Sequence, residues 1–162
     1  MSSIASCTLL PVDQLDTFRK AAVPTKRGLF RRPKDKFYEF LNAVGAPCSD
    51  LEVSGFYCVM ALTWLEEKAN INLLKSSHAE LATFLSETRQ VSCFILTKAH
   101  RDHLLDSITP ESYSAPELTL YFKEFNEQDD PDSGNGMIDS MIWLKTCLRQ
   151  VDANHIGILI ID

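Results

Sequence analysis

Glycine is scarce in this chain, six residues in 162, and the loops that glycine builds around phosphates are missing. No Gly-x-Gly-x-x-Gly, Gly-Lys-Ser/Thr or Gly-x-Ser-x-Gly segment occurs, which disfavours the nucleotide-binding and α/β-hydrolase classes and calls for no cofactor. Long apolar runs are missing too. The longest, 55–65, holds eleven residues and stops at Glu66-Glu67-Lys68, against the roughly 20 needed to span a bilayer. No basic stretch followed by an apolar one opens the sequence. These absences predict a cytoplasmic protein without a membrane partner. Cysteine is present but unpatterned: Cys7, Cys48, Cys58, Cys93 and Cys147 are odd in number, widely spaced and set among apolar residues. Such a set suggests neither a disulfide framework nor a zinc ribbon and predicts reduced core thiols. Reactive thiols need polar, electropositive surroundings, so Cys58, Cys93 and Cys147 read as inert packing, even with His155 near Cys147.

What is there is apolar residue in quantity, 45% of the chain, enough for one core and a single domain over 1–162. The clearest signal is C-terminal. Residues 137–151 read as an amphipathic helix, Asp152-Ala153-Asn154 as a break, and 156–161 as a buried strand that closes the sheet. Residues 3–9 read as a first strand ended by Pro11, and 12–22 as a helix with Val12, Leu15, Phe18 and Ala22 inward. A helix over 34–44 ends at Gly45-Ala46-Pro47. A further helix is expected from residue 49 or 50 to about 69, although 56–65 alone also fits a strand. Ser77-His78-Ala79-Glu80 has the form of a capping box for a helix over 79–88; 91–96 reads as a strand, with Thr97 capping a helix over 98–107. Pro110 starts a turn, and Pro116 opens a helix to 125 with Leu118, Phe122 and Phe125 inward. Residues 127–136 have the composition of a flexible loop. The expected fold is a helix-rich α+β domain with a small sheet that includes both terminal strands, its helices mainly on one face and the other face partly open.

Charge is unevenly spread. Lys26, Arg27, Arg31, Arg32, Lys34 and Lys36 against Asp35 alone give +5 on eleven residues of a chain whose total is −6, so the rest carries −11. This segment is the expected partner contact, for an acidic protein or another anionic macromolecule; no nucleic-acid motif accompanies it. A second candidate is the helix face of His100, His103 and Asp106, where two imidazoles and a carboxylate could meet a metal. It lacks the i, i+4 histidines and intervening Glu of the zinc hydrolases. The acidic loop at Asp129, Asp130 and Asp132 fails as a calcium loop at Gly134, Asn135 and Met141.

Two stretches carry a resemblance. Phe94-Ile-Leu-Thr97 through His103-Leu-Leu to Ile108-Thr-Pro-Glu-Ser-Tyr113, and the long helix running into an aliphatic strand over 137–161, resemble the YfbM-like family of small bacterial proteins. Residues 12–15 and 35–41 add to it, and together these passages cover about half of the chain. The resemblance implies a compact α+β domain in a bacterial cytoplasm, and it implies no activity and no catalytic residue. The leading expectation is therefore a non-enzymatic, macromolecule-binding or regulatory protein acting through protein–protein interaction at residues 26–36. The alternatives are a metal-dependent hydrolase centred on His100, His103 and Asp106, and an immunity or antitoxin protein.

Overall fold

A computed structural model describes residues 3–24 and 35–162. Its strands are β1 (Ile4–Pro11), β2 (Ala46–Pro47), β3 (Val53–Ser54), β4 (Ser92–Leu96) and β5 (His155–Ile161), all antiparallel, in the order β2-β1-β5-β4 with β3 also on β1. The helices are α1 (Leu15–Ala22), α2 (Lys36–Val44), α3 (Gly55–Glu67), α4 (Ala79–Arg89), α5 (Lys98–Leu104), α6 (Ala115–Asn126) and α7 (Ser133–Gln150). β1 and β5 lie side by side at the centre, paired from Ala5 opposite Ile161 to Pro11 opposite His155. The fold is α+β and helix-rich, with both terminal strands in the sheet.

β5 explains the layering. Successive side chains of a strand point to opposite faces, and here Ile156, Ile158 and Ile160 join one hydrophobic cluster while Leu159 and Ile161 join another. A strand with one wet face alternates apolar and polar residues; this one has no polar parity, because helices cover both sides. α1, α2 and α4 bury Phe18, Ala22, Phe37, Leu41, Leu81 and Leu85 against one face. α3, α6 and α7 bury Met60, Leu65, Phe122, Met141 and Leu144 against the other. The expected partly open face is therefore corrected: the sheet is the middle of three layers.

Several boundaries shift for local reasons. Residues 12–14 form a 3-10 turn, and the first α-helix starts only at Leu15. Asp35 caps α2 by accepting the Phe37 N–H at 3.1 Å. The ambiguous run over 56–65 is helical, and α3 begins at Gly55 rather than at 49 or 50 because Val53 and Ser54 first pair with β1. The Ser77/Glu80 capping box is not formed. Ser76 Oγ instead accepts the His78 N–H at 3.1 Å, and His78 becomes the N-cap. α4 reaches β4 through Ser86, whose hydroxyl accepts the Cys93 N–H at 2.9 Å. Phe125, expected inward, is exposed at the end of α6.

The largest shift concerns the supposed loop over 127–136, whose last four residues are the first turn of α7. A Cβ on Gly134 would lie 2.0 Å from the Ala115 carbonyl oxygen, and one on Gly136 would lie 2.2 Å from the Tyr57 ring. Gly134 lets α7 approach the backbone of α6, and Gly136 lets it approach the Tyr57 ring of α3, which a larger residue would prevent. Among the described residues, no helix is long and apolar enough to cross a membrane.

Candidate binding cleft and thiol cluster

Of the basic residues expected at a partner contact, Lys26, Arg27, Arg31, Arg32 and Lys34 lie outside the described residues; Lys36 is exposed in the first turn of α2.

Of the imidazole candidates on α5, His100 is buried and His103 is exposed. Thr97 ends β4 and caps α5, and the third helical residue that completes the reciprocal cap is His100 in place of the usual Glu or Gln. Its Nδ1 accepts the Thr97 N–H at 3.3 Å, and its Nε2–H therefore donates to the Lys75 carbonyl at 2.7 Å. Burial holds the ring's pKa below the usual histidine value, opposed by the Lys75 carbonyl. Both nitrogens of a buried, neutral imidazole are thus engaged in structure. α5 gives way to a 3-10 turn at Leu105–Ser107, so the angular step changes before Asp106 is reached. Among the described residues, the set of three His, Cys, Asp or Glu side chains whose ligand atoms all lie within 4.8 Å of one another is a different one: Cys7, Cys48 and Cys147.

That trio is assembled from distant parts of the chain. Cys7 points from β1 toward the α3/α7 layer, Cys48 follows β2, and Cys147 comes from the buried face of α7. Cys48 N–H donates to the Cys7 carbonyl at 2.9 Å, which locks the post-β2 segment onto β1. The Cys7 thiol then donates to Cys48 Sγ at 3.3 Å. Cys7 pairs with Leu159 of β5, and Gly157, two residues earlier on that strand, leaves its sulfur room: a Cβ there would sit 3.2 Å from Cys7 Sγ. All three cysteines are buried. Hydrogen bonds from Cys147 and Cys7 favour the Cys48 thiolate and lower its pKa, whereas the same contacts and burial raise Cys7. Cys58 and Cys93, by contrast, are pushed up to about 12 by burial alone, as expected of inert core thiols.

A cleft of about 470 Å³ opens between the 49–57 segment and α7. Leu51, Val53, Ile142 and Trp143 form apolar walls, and Glu52 and Asp139 supply carboxylates. Trp143 is buried and donates its indole N–H to the Leu51 carbonyl at 2.8 Å, pinning the segment against α7. Tyr57 borders the cleft and donates to Asp130 at 2.7 Å; that bond raises its pKa to about 12. Asp130, read first as part of a loop, is thus a fixed partner of α3. Ser49 and Thr146 line the cleft, and the next residues inward along the chain, Cys48 and Cys147, carry the thiols.

Sequence reasoning missed both features. The three cysteines have no mutual spacing to recognise, and the cleft is made by a tertiary hydrogen bond. Comparisons with known protein families, with curated proteins and with solved structures find no match.

Proposed function

We propose that this protein is a non-enzymatic binding domain whose cleft takes an extended segment of a partner protein, with an apolar side chain between Leu51, Ile142 and Trp143 and a basic side chain beside Glu52 and Asp139. The observation that carries this reading is the pairing of open apolar walls with two carboxylates. Leu51 is 73% and Ile142 51% exposed, and neither Glu52 nor Asp139 has an ion-pair partner among the described residues. The volume lies within the roughly 300–1,000 Å³ of ordinary ligand pockets, and seating one Leu or Phe side chain there contributes about 1.5–3 kcal/mol. The lining contains no histidine or cysteine, and Ser49 Oγ is occupied by the Leu51 N–H at 3.1 Å. A base–nucleophile pair of the hydrolytic kind is therefore not formed by the cleft's own residues. This reading keeps the class of function expected from the sequence and adds an acidic, apolar cleft to the basic segment, most of which lies outside the described residues.

Isothermal titration with short peptides carrying Leu or Phe flanked by Lys and Arg, against the same peptides flanked by Glu, tests this. The basic set is expected to bind and to weaken about tenfold in Asp139→Lys, a loss of roughly 1.4 kcal/mol; Ile142→Glu is expected to abolish binding. Equal affinity for both sets, or for neither, would overturn the reading.

A further inference from the structure

Independently of what fills the cleft, we infer that Cys7, Cys48 and Cys147 form a binding site for a soft, thiophilic metal cation such as monovalent copper or zinc. Three sulfurs with every pair within 4.8 Å, and one pair at 3.3 Å, match the ligand class that selects these ions. With metal–sulfur bonds of about 2.3 Å, ligating sulfurs stand roughly 3.8–4.0 Å apart, so the closest pair need open by only about half an ångström. Cys48 lies between elements, outside helix and strand, and the missing side chain at Gly157 is what lets the Cys7 sulfur take its place.

Electrostatics favours a bound cation over a bare thiolate. Among the described residues, the interactions acting on the three thiols come from one another, from Cys58 and from burial, with no Lys, Arg or His taking part. A buried thiolate without a nearby positive charge is costly, and a cation placed between the three supplies that charge. Each thiol that becomes a ligand gives up its proton to solvent, so affinity rises with pH. Ser49 and Thr146, which line the cleft, are the chain neighbours of Cys48 and Cys147. No fourth His, Asp, Glu or Cys among the described residues joins the set. A trigonal copper(I) ion is satisfied by the trio, whereas zinc needs a further ligand from solvent.

The experiment is an oxygen-free titration of the reduced, full-length protein with copper(I), and separately with zinc, each in competition with a coloured chelator. Sulfur-to-metal absorption in the near ultraviolet serves as the second readout. One equivalent of either ion is expected to bind with that absorption and with affinity that climbs with pH. Copper(I) alone supports a closed trigonal site, and zinc supports one completed by solvent. Cys48→Ser and Cys147→Ser are expected to lose affinity by more than the 10–100-fold typical of outer-shell changes, while Cys93→Ser, on the opposite face of the sheet, binds as the parent does. If Cys147→Ser loses its circular dichroism, Cys48→Ala, away from helix and strand, carries the comparison. Failure of both ions to bind at one equivalent, or undiminished binding and absorption in the folded Cys48 variant, would overturn the inference.

Discussion

On the α1/α2 side of the sheet, rings meet rings. Phe18 stacks on Phe37 and Phe40 with centroids 5.3 and 5.8 Å apart, and the Arg89 guanidinium covers Phe37 at 4.8 Å while pairing with Asp35. On the α3/α7 side, α7 touches its neighbours through Gly134 and Gly136, and three thiols occupy the space between α7 and β1. One central strand, β5, serves both. The helices therefore set the packing style. Aromatic contacts hold α1 and α2 with side chains that have rotamers to adjust, whereas Gly134 sets α7 against the α6 backbone, which cannot move aside, and Gly136 sets it against the Tyr57 ring. The second arrangement draws helix and sheet close enough for side chains from β1, the post-β2 segment and α7 to converge, and both candidate sites lie there.

The most severe test of this contrast is Phe18→Ala. Emptying a fully buried ring site is expected to cost about 4 kcal/mol. Both tryptophans, Trp64 and Trp143, belong to the opposite cluster, so their emission reports the far face while far-ultraviolet circular dichroism reports all helices. Coincident urea transitions are expected, since the faces share β5; separated transitions would show two independently melting halves. Next comes Gly134→Ala, where the new methyl meets the Ala115 carbonyl. A loss of about 3 kcal/mol is expected, overpacking outweighing the helix-propensity gain of about 1. Gly136→Ala meets only a tyrosine ring and is expected to lose about 1 kcal/mol; equal losses at the two sites would dissolve the distinction between backbone and side-chain contact.

His100→Asn sharpens the comparison at the end of β4. Losing the reciprocal cap and the Lys75 bond is expected to cost about 1 kcal/mol near neutral pH. Burial lowers the folded-state pKa of His100, so on acidification the unfolded chain binds the proton first. The parent therefore keeps the His100 contribution above the unfolded value of about 6.5 and loses it as pH falls from there toward the folded pKa. A denaturation series across that window is expected to flatten in the variant; an unchanged slope would assign the pH dependence elsewhere.

The elements most readable from the chain were those with a strong local code. The aliphatic run of β5, the apolar run of α3, Thr97 as a cap and Gly45 as a stop all appear where the residues indicate. The two-faced parity of Ile156, Ile158 and Ile160 against Leu159 and Ile161 already contained the second helical layer, and an open face was incompatible with it. Other failures were tertiary. Gly134 and Gly136 carry turn composition, and only the presence of α6 and α3 makes them helix contacts. Ser77 lost its cap to Ser76 one residue away. The thiol trio was illegible because its members share no spacing: pairing in the sheet places Cys7, a hydrogen bond to Cys7 places Cys48, and the packed face of α7 places Cys147.

The Ser86–Cys93 hydrogen bond has a consequence beyond the fold of one molecule. β4 is the outermost strand on its side of the sheet, and an outer strand offers open amides and carbonyls as a template on which another chain can add. With the Cys93 amide held by a serine hydroxyl from α4, that template is interrupted at the second residue of a five-residue strand. A single hydroxyl thus helps keep neighbouring copies from joining edge to edge at high concentration, where no loss of internal stability would give warning.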